Sequence, residues 1–288
     1  MCKILLYNFI ELKYNEAIQK PTRKGKGYVM KKLIAMMLAL LMIFSCLTAC
    51  GAKSASDMAQ IKKNKKIVIG ITDYAPMDYK DENGEWTGFD AEFAQLFAAE
   101  LGVECEFYEL PNWDTRYMEL ETKQIDAVWN GMTICEDAEL NSSVSDPYVI
   151  NAQVVVMKAD QLDNYPDAAS LTGLKIAVES GSAGENCANE IDGVSVAPMQ
   201  TQASALMEVA AGTSDACVID ITMANAMTGE GTSYADLGYA LSLSEELYGV
   251  SFRKESDLTA AFNEFMAGLR ADGTLDALAA KYNLTLAD

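Results

Sequence analysis

From residue 66 onward the hydrophobic positions of this chain switch repeatedly between two periods. Ile67-Val-Ile-Gly-Ile-Thr72 is a short β-branched run, which predicts a buried strand. Asp81-Glu-Asn-Gly84 is a turn signal. Phe89, Phe93, Leu96, Phe97 and Leu101 then recur at helical spacing, and Gly102 stands where that helix would stop. Val103–Tyr108 reads as a strand, Trp113–Thr122 as a short helix, and Ile125–Trp129 as another strand. A strongly apolar strand, Asn151–Met157, opens a second unit. In it Leu174–Val178 and Asp215–Asp220 read as strands, Gly181 opens a helix, and Ala203–Ala211 forms another. Tyr248–Lys254 is a last strand, followed by a helix over Leu258–Arg270 and one begun by Asp272-Gly-Thr-Leu. Strands alternating with helices at this spacing predict parallel sheets covered by helices. Ile125-Asp-Ala-Val-Trp and Ser214-Asp-Ala-Cys-Val echo each other, which predicts a similar βαβ topology in two lobes.

Ahead of residue 66 the pattern is different. Met30-Lys-Lys is followed by the apolar run Leu33–Phe44, of signal-peptide length and short for a membrane span. Leu47-Thr-Ala-Cys50-Gly resembles a lipobox, in which small residues before a Cys allow signal cleavage and lipid attachment to its sulfur. Residues 1–29 do not look like a targeting segment, so Met30 is the expected start and 1–49 is set apart from the folded protein. Residues 50–65 are small and polar, and read as a flexible tether. The expected location is extracytoplasmic, at the cell membrane through a lipid on Cys50.

Composition narrows the chemistry. The chain has 288 residues and a formal net charge of −20. Residues 1–49 hold eight Lys/Arg and two Asp/Glu, so the remainder carries 14 basic and 40 acidic residues, a net of about −26. That field disfavours nucleic acid and anionic ligands and favours cations or zwitterions, although solubility alone accounts for it equally well. There is no His, which rules out Ser-His-Asp and Cys-His nucleophiles and removes the commonest general base. Cys105, Cys135, Cys187 and Cys217 remain outside the leader, with no C-x-x-C spacing that would suggest zinc or redox chemistry. Cys187 and Cys217 fall in one predicted lobe and could pair, or all four could be buried thiols. No cofactor or metal is implied.

The motifs taken together are more specific than any one of them. Trp129-Asn-Gly-Met-Thr133 ends a strand, acids follow, and Ser145-Asp-Pro-Tyr148 makes a turn. With Tyr74-Ala-Pro-Met, Thr87-Gly-Phe-Asp90, Trp113-Asp114, Gly181-Ser182, Asp215–Asp220 and Gly273-Thr-Leu-Asp-Ala-Leu, this stretch resembles the type 3 (polar amino acid) solute-binding proteins of ABC transporters, in their lipoprotein form. The resemblance covers nearly all of 66–284. It implies an α/β, two-lobed periplasmic-binding-protein-like (Venus flytrap) fold of type II. Lobe 1 would comprise 66–150 and 242–288, and lobe 2 would comprise 151–241. It further implies capture of an amino-acid-like small molecule in an interlobe cleft, delivery to a separate ABC permease, and no catalysis.

The resemblance also assigns site residues. Tyr74 and Trp113 match aromatics that flank the ligand side chain. Asn130, Gly131 and Thr133 match the segment that meets the ligand α-carboxylate through backbone N–H groups and a hydroxyl. Ser182, at a helix N-terminus, would add N–H donors. Asp220 matches the acceptor of the α-ammonium. Trp129 could line either the cleft or the core. One position departs from the family: Ala138 stands where the family places the Arg that grips the carboxylate. Three explanations fit: Arg116 supplies the cation, backbone donors and Ser182 suffice, or the ligand lacks a free α-carboxylate. A same-fold, dehydratase-like enzyme would need an acid or base in the cleft, for which Glu179 and Asp73 are the candidates. A ligand-sensing binding subunit would share the same site.

Overall fold

A computed structural model describes residues 56–288. The expected signal segment, the start at Met30 and the lipidated Cys50 lie outside the described residues. So does the first part of the expected tether, up to residue 55, whereas its second half is a helix, α1 (Asp57–Asn64). Ser56 caps it, its hydroxyl accepting from the Ala59 N–H at 3.0 Å. Ile61 is fully buried beneath it, and the Asp57 carboxylate accepts from Arg253 Nε at 3.1 Å. One buried apolar residue and one buried ion pair hold a segment whose Lys-rich remainder faces outward.

Two five-stranded sheets follow. The first contains β1 (Lys66–Ile71), β4 (Glu104–Glu109), β5 (Ala127–Val128), β6 (Ser143–Val144) and β12 (Ser251–Phe252), in the order β4-β1-β5-β12-β6. β1 pairs in parallel with β4 and β5, whereas β12 runs antiparallel to its neighbours. A small hairpin, β2 (Tyr79–Lys80) with β3 (Trp86–Thr87), flanks it around the predicted Gly84 turn. The second sheet has the order β11-β7-β10-β8-β9, from β7 (Val149–Lys158), β8 (Lys175–Glu179), β9 (Ser195–Met199), β10 (Ala216–Asp220) and β11 (Leu237–Tyr248).

Helices cover both sheets, as the alternation predicts. α2 (Phe89–Leu101) ends at Gly102 in the left-handed conformation. α3 (Arg116–Glu121) follows a 3₁₀ turn at Trp113–Thr115, and α4 (Glu136–Asn141) precedes β6. α5 (Ala183–Asn189), α6 (Gln202–Ala211) and α7 (Ile221–Met227) belong to the second sheet. α8 (Leu258–Ala271) and α9 (Thr274–Lys281) return to pack on α2. There Phe93 and Phe262 enclose Trp129 edge-on, with ring centroids 5.0 and 4.9 Å away. Trp129 is therefore a core residue.

The chain passes between the sheets twice, at Ser145–Tyr148 and at Gly249–Val250. The two passages are hydrogen-bonded side by side: Ser145 N–H to the Val250 carbonyl and Tyr148 N–H to the Tyr248 carbonyl, each at 2.9 Å. The return comes after Tyr248 rather than at 242, because β11 stays paired with β7 along its whole length. The expected single strand over 248–254 is divided between the end of β11 and the short β12. The four described cysteines, Cys187 and Cys217 included, are all free.

Candidate functional site

In parallel α/β sheets, ligand-binding loops gather at strand C-termini. Here such loops from both sheets converge on one cavity of about 210 Å³. The Asn130–Thr133 loop leaves β5, Glu179 to Ser182 leave β8, and Asp220 ends β10. Trp113 and Arg116 complete the wall on the side of the first sheet.

The wall of the second sheet carries a carboxylate in an amide cage. Asp220 Oδ1 accepts from Asn151 Nδ2 at 2.5 Å and from Gln153 Nε2 at 2.6 Å. Its Oδ2 accepts from Gln202 Nε2, and its own N–H donates to Gln202 Oε1 at 2.9 Å. The topology explains the cage. Asp220 pairs in register with Gln153, and Asn151 lies two residues back along β7, on the same face. β11, on the far side of β7, brings Glu246 opposite Asn151. Glu246 Oε2 accepts from both amides, at 3.1 and 3.0 Å. Burial, and then the Glu246 charge, push the Asp220 carboxyl up to about 6. The cage is neutral, so Asp220 has donors but no cation.

The opposite wall supplies one guanidinium. Arg116 is 8 % exposed and lies between two rings, 4.8 Å from the Trp113 centroid and 4.3 Å from that of Tyr117. Its Nη1 donates to the Trp113 carbonyl at 3.0 Å, and Nη2 lies 3.4 Å from Asp137 Oδ2. Its Nε is buried with no partner among the described residues. Arg116 is the one Lys or Arg lining this cavity among the described residues.

Several expected ligand contacts are occupied from within. The Gly131 N–H donates to Asp90 Oδ2 at 2.6 Å, and the Thr133 hydroxyl to Glu246 Oε2 at 2.9 Å. Asn130 closes a two-bond loop with Thr72, accepting the Thr72 N–H at 2.9 Å and donating to its hydroxyl at 2.7 Å. All three residues line the cavity, but these groups brace the loop. Gly131 has φ +56°, and a Cβ there would fall 2.5 Å from the Tyr74 ring, so packing alone requires glycine. Tyr74 does not line the cavity. It is 2 % exposed, and its hydroxyl bonds Thr222 and Tyr248, each at 2.5 Å. Ser182 lines the cavity and N-caps α5, its hydroxyl accepting from the Glu185 N–H at 3.1 Å. Ala138 is fully buried in α4, in one cluster with Trp113, Leu120 and Met132.

Glu179 lines the cavity, whereas Asp73 is exposed and outside it. Glu179 is 4 % exposed, and burial, then the Asp220 charge, push its carboxyl up to about 8. Glu246, Gln153, Asn151 and Gln202 escape the sequence reading altogether. β11 itself had a readable signal, since Leu237, Tyr239, Leu241, Leu243 and Leu247 alternate along it. The lobes also touch each other directly. Ser180 Oγ donates to Asp114 Oδ2 at 2.8 Å, and Gln200 Nε2 to the Pro111 carbonyl at 2.9 Å.

Comparison with known proteins agrees with this architecture. The chain is 29% identical over 248 residues to the L-cystine-binding protein TcyJ of Escherichia coli strain K12, covering 84% of this chain and 92% of that protein. It is 33% identical over 266 residues to the histidine-binding periplasmic protein of Salmonella typhimurium, covering 88% of this chain and 97% of that one. Among solved structures, the P235GK mutant of ArgBP from T. maritima matches with a TM-score of 0.74 at 31% identity, over 78% of this chain and 98% of that one. The ancestral amino acid-binding protein AncCDT-1, a precursor of cyclohexadienyl dehydratase, matches with a TM-score of 0.73 at 31% identity, over 79% and 99%. The model of the bacterial extracellular solute-binding proteins, family 3, matches residues 67–285, and the chain belongs to that family.

Proposed function

We propose that this protein captures an amino acid or amino-acid-like zwitterion between its lobes and delivers it to an ABC importer, held at the membrane by a lipid on Cys50. The observation that carries the reading is the pairing of opposite charges across one cavity. Asp220, held by amides with no cation of its own, faces the space from one wall, and the guanidinium of Arg116 from the other. An ammonium at Asp220 replaces a missing counter-charge, and a carboxylate at Arg116 competes for the guanidinium with the half-exposed Asp137. Of the three explanations for Ala138, this favours Arg116 as the cation. The backbone-donor explanation loses support, because the Gly131 N–H and the Thr133 hydroxyl already have partners. Trp113 and Ser182 complete the walls, while Tyr74 acts on closure rather than on the ligand.

Capture needs an opening and closing element. The two adjacent passages at Ser145–Tyr148 and Gly249–Val250 are short enough to serve as a hinge, and the Asp114–Ser180 bond as a closing contact. Binding, rather than turnover, is the reading. Of the two acid or base candidates, Glu179 lines the cavity and Asp73 lies outside it. The relatives named above are likewise binding proteins.

The test is a thermal-shift screen against free amino acids, amines and short peptides. A ligand at 100 times its Kd stabilises the native state by about 2.7 kcal/mol, which is a plain shift. Mass spectrometry of the released ligand should find it unchanged. No shift with any member of the panel would overturn the proposal, and a chemically altered ligand would overturn the binding-only reading.

A further inference from the structure

The cavity contains one acid that the zwitterion reading does not use. Glu179 ends β8, and its Oε1 is buried with no hydrogen-bond partner among the described residues. The other carboxylates at the cavity are matched: Asp220 and Glu246 share the Asn151 and Gln153 amides, and Asp137 reaches Arg116. A buried carboxylate without a donor is costly, and a site keeps such a group where a ligand supplies the missing partner. The formal charge balance points the same way. Asp137, Glu179, Asp220 and Glu246 line the cavity against Arg116 alone. A neutral zwitterion leaves that excess of negative charge in place, whereas a ligand carrying an extra positive charge reduces it.

We propose that Glu179 is a specificity-determining residue that receives a second protonated nitrogen, so that the cleft selects basic amino acids over neutral ones of the same shape. The proposal rests on the zwitterion reading above and adds the class of side chain. The geometry suits two nitrogens on one molecule. β8 and β10 are adjacent parallel strands in which Ala177 pairs with Cys217, so Glu179 stands level with Ile219, one residue before Asp220, on strands about 5 Å apart, and both acids line the one cavity. A single ligand spans that distance with its α-ammonium at one carboxylate and its side-chain cation at the other.

Protonation gives a second, independent readout. The groups acting on Glu179 are Asp220 on β10, Arg116 on α3 and Asp114 in the 3₁₀ turn before it. With its carboxyl at about 8, Glu179 holds a proton in the empty cavity at pH 7 and must release it to meet a cation.

The experiment is isothermal titration calorimetry of wild type and Glu179→Gln with two isosteric pairs, lysine against norleucine and arginine against citrulline. Wild type should prefer the charged member of each pair by roughly tenfold to a hundredfold, the range of a charge-assisted hydrogen bond. In Glu179→Gln that preference should collapse, while affinity for the neutral members holds. Titrations of wild type in buffers of different ionisation heat need no variant. At pH 7, lysine should release about one more proton than norleucine, since Asp220 contributes to both. Equal affinities within each pair, or equal proton release, would overturn this inference while leaving capture of amino acids standing. Binding of no member of the panel would overturn both.

Discussion

Asp90→Asn should change how stability depends on pH, and the change can be worked from the structure. Asp90 opens α2 with no exposed surface, and its Oδ2 accepts from the Gly131 N–H at 2.6 Å and the Tyr148 hydroxyl at 2.9 Å. Asp78, also without exposed surface, lies near enough to feel the Asp90 charge, and neither Asp78 oxygen has a hydrogen-bond partner among the described residues. Burial raises both carboxyls, Asp78 further through the charge on Asp90, and Asp90 reaches about 7. The folded state therefore holds a proton that the unfolded chain releases near 3.8. Stability from this group is fully present below that lower value and is lost as pH rises through about 7. A rise from 3.8 to about 7 corresponds to ~4 kcal/mol.

Asparagine keeps an acceptor for Gly131 and Tyr148 and removes the ionisation. Urea unfolding of both proteins from pH 4 to 8 should give similar free energies at the acid end. The variant should gain on wild type through the neutral range, by up to ~4 kcal/mol at pH 8. Asp220 and Glu179 also titrate, but they are common to both proteins and cancel in the difference. Parallel pH profiles would refute the assignment of a buried proton to the Asp78–Asp90 pair.

Two further outcomes follow from buried polar groups. Arg253 is 9 % exposed and binds Asp57, Asp126 and the carbonyls of Leu120 and Ile125, so Arg253→Met removes the guanidinium these two carboxylates share and should cost about 3–5 kcal/mol in urea unfolding. An effect below about 1 kcal/mol would mean that α1 is not docked as described. Tyr74→Phe removes the hydroxyl that bonds both Thr222 and Tyr248, and should weaken all ligands by one common factor, because it acts on closure. Ligand-dependent losses by calorimetry would instead place Tyr74 against the ligand side chain.

The extent to which this molecule is legible in sequence follows from the range of each signal. Local periodicity suffices for β1, α2 with its Gly102 stop, and the strands at 127–128 and 216–220, because each buries a contiguous apolar face. It misses α1, where one buried Ile61 and an Arg253 almost two hundred residues away outweigh a Lys-rich surface. Site residues divide in the same way. Trp113, Ser182 and Asp220 follow recognisable motifs and do line the cavity, as does Arg116, one of the three explanations for Ala138. The acceptors that occupy Gly131 and Thr133 come from Asp90 and Glu246, which sequence distance hides. The amide cage is likewise a product of sheet order: β7 lies between β10 and β11, and only that order brings Asn151 and Gln153 between two carboxylates. Resemblance to a family predicts which loops meet a ligand, but not which of their donors are free.

The central claim is that Asp220 receives the ligand's ammonium across from Arg116. Calorimetric titration of wild type and Asp220→Ala with the tightest-binding amino acid of the screen tests it most directly. Loss of a buried charge partner predicts a Kd weakened tenfold or more, with the variant still folded. An unchanged Kd would contradict the account.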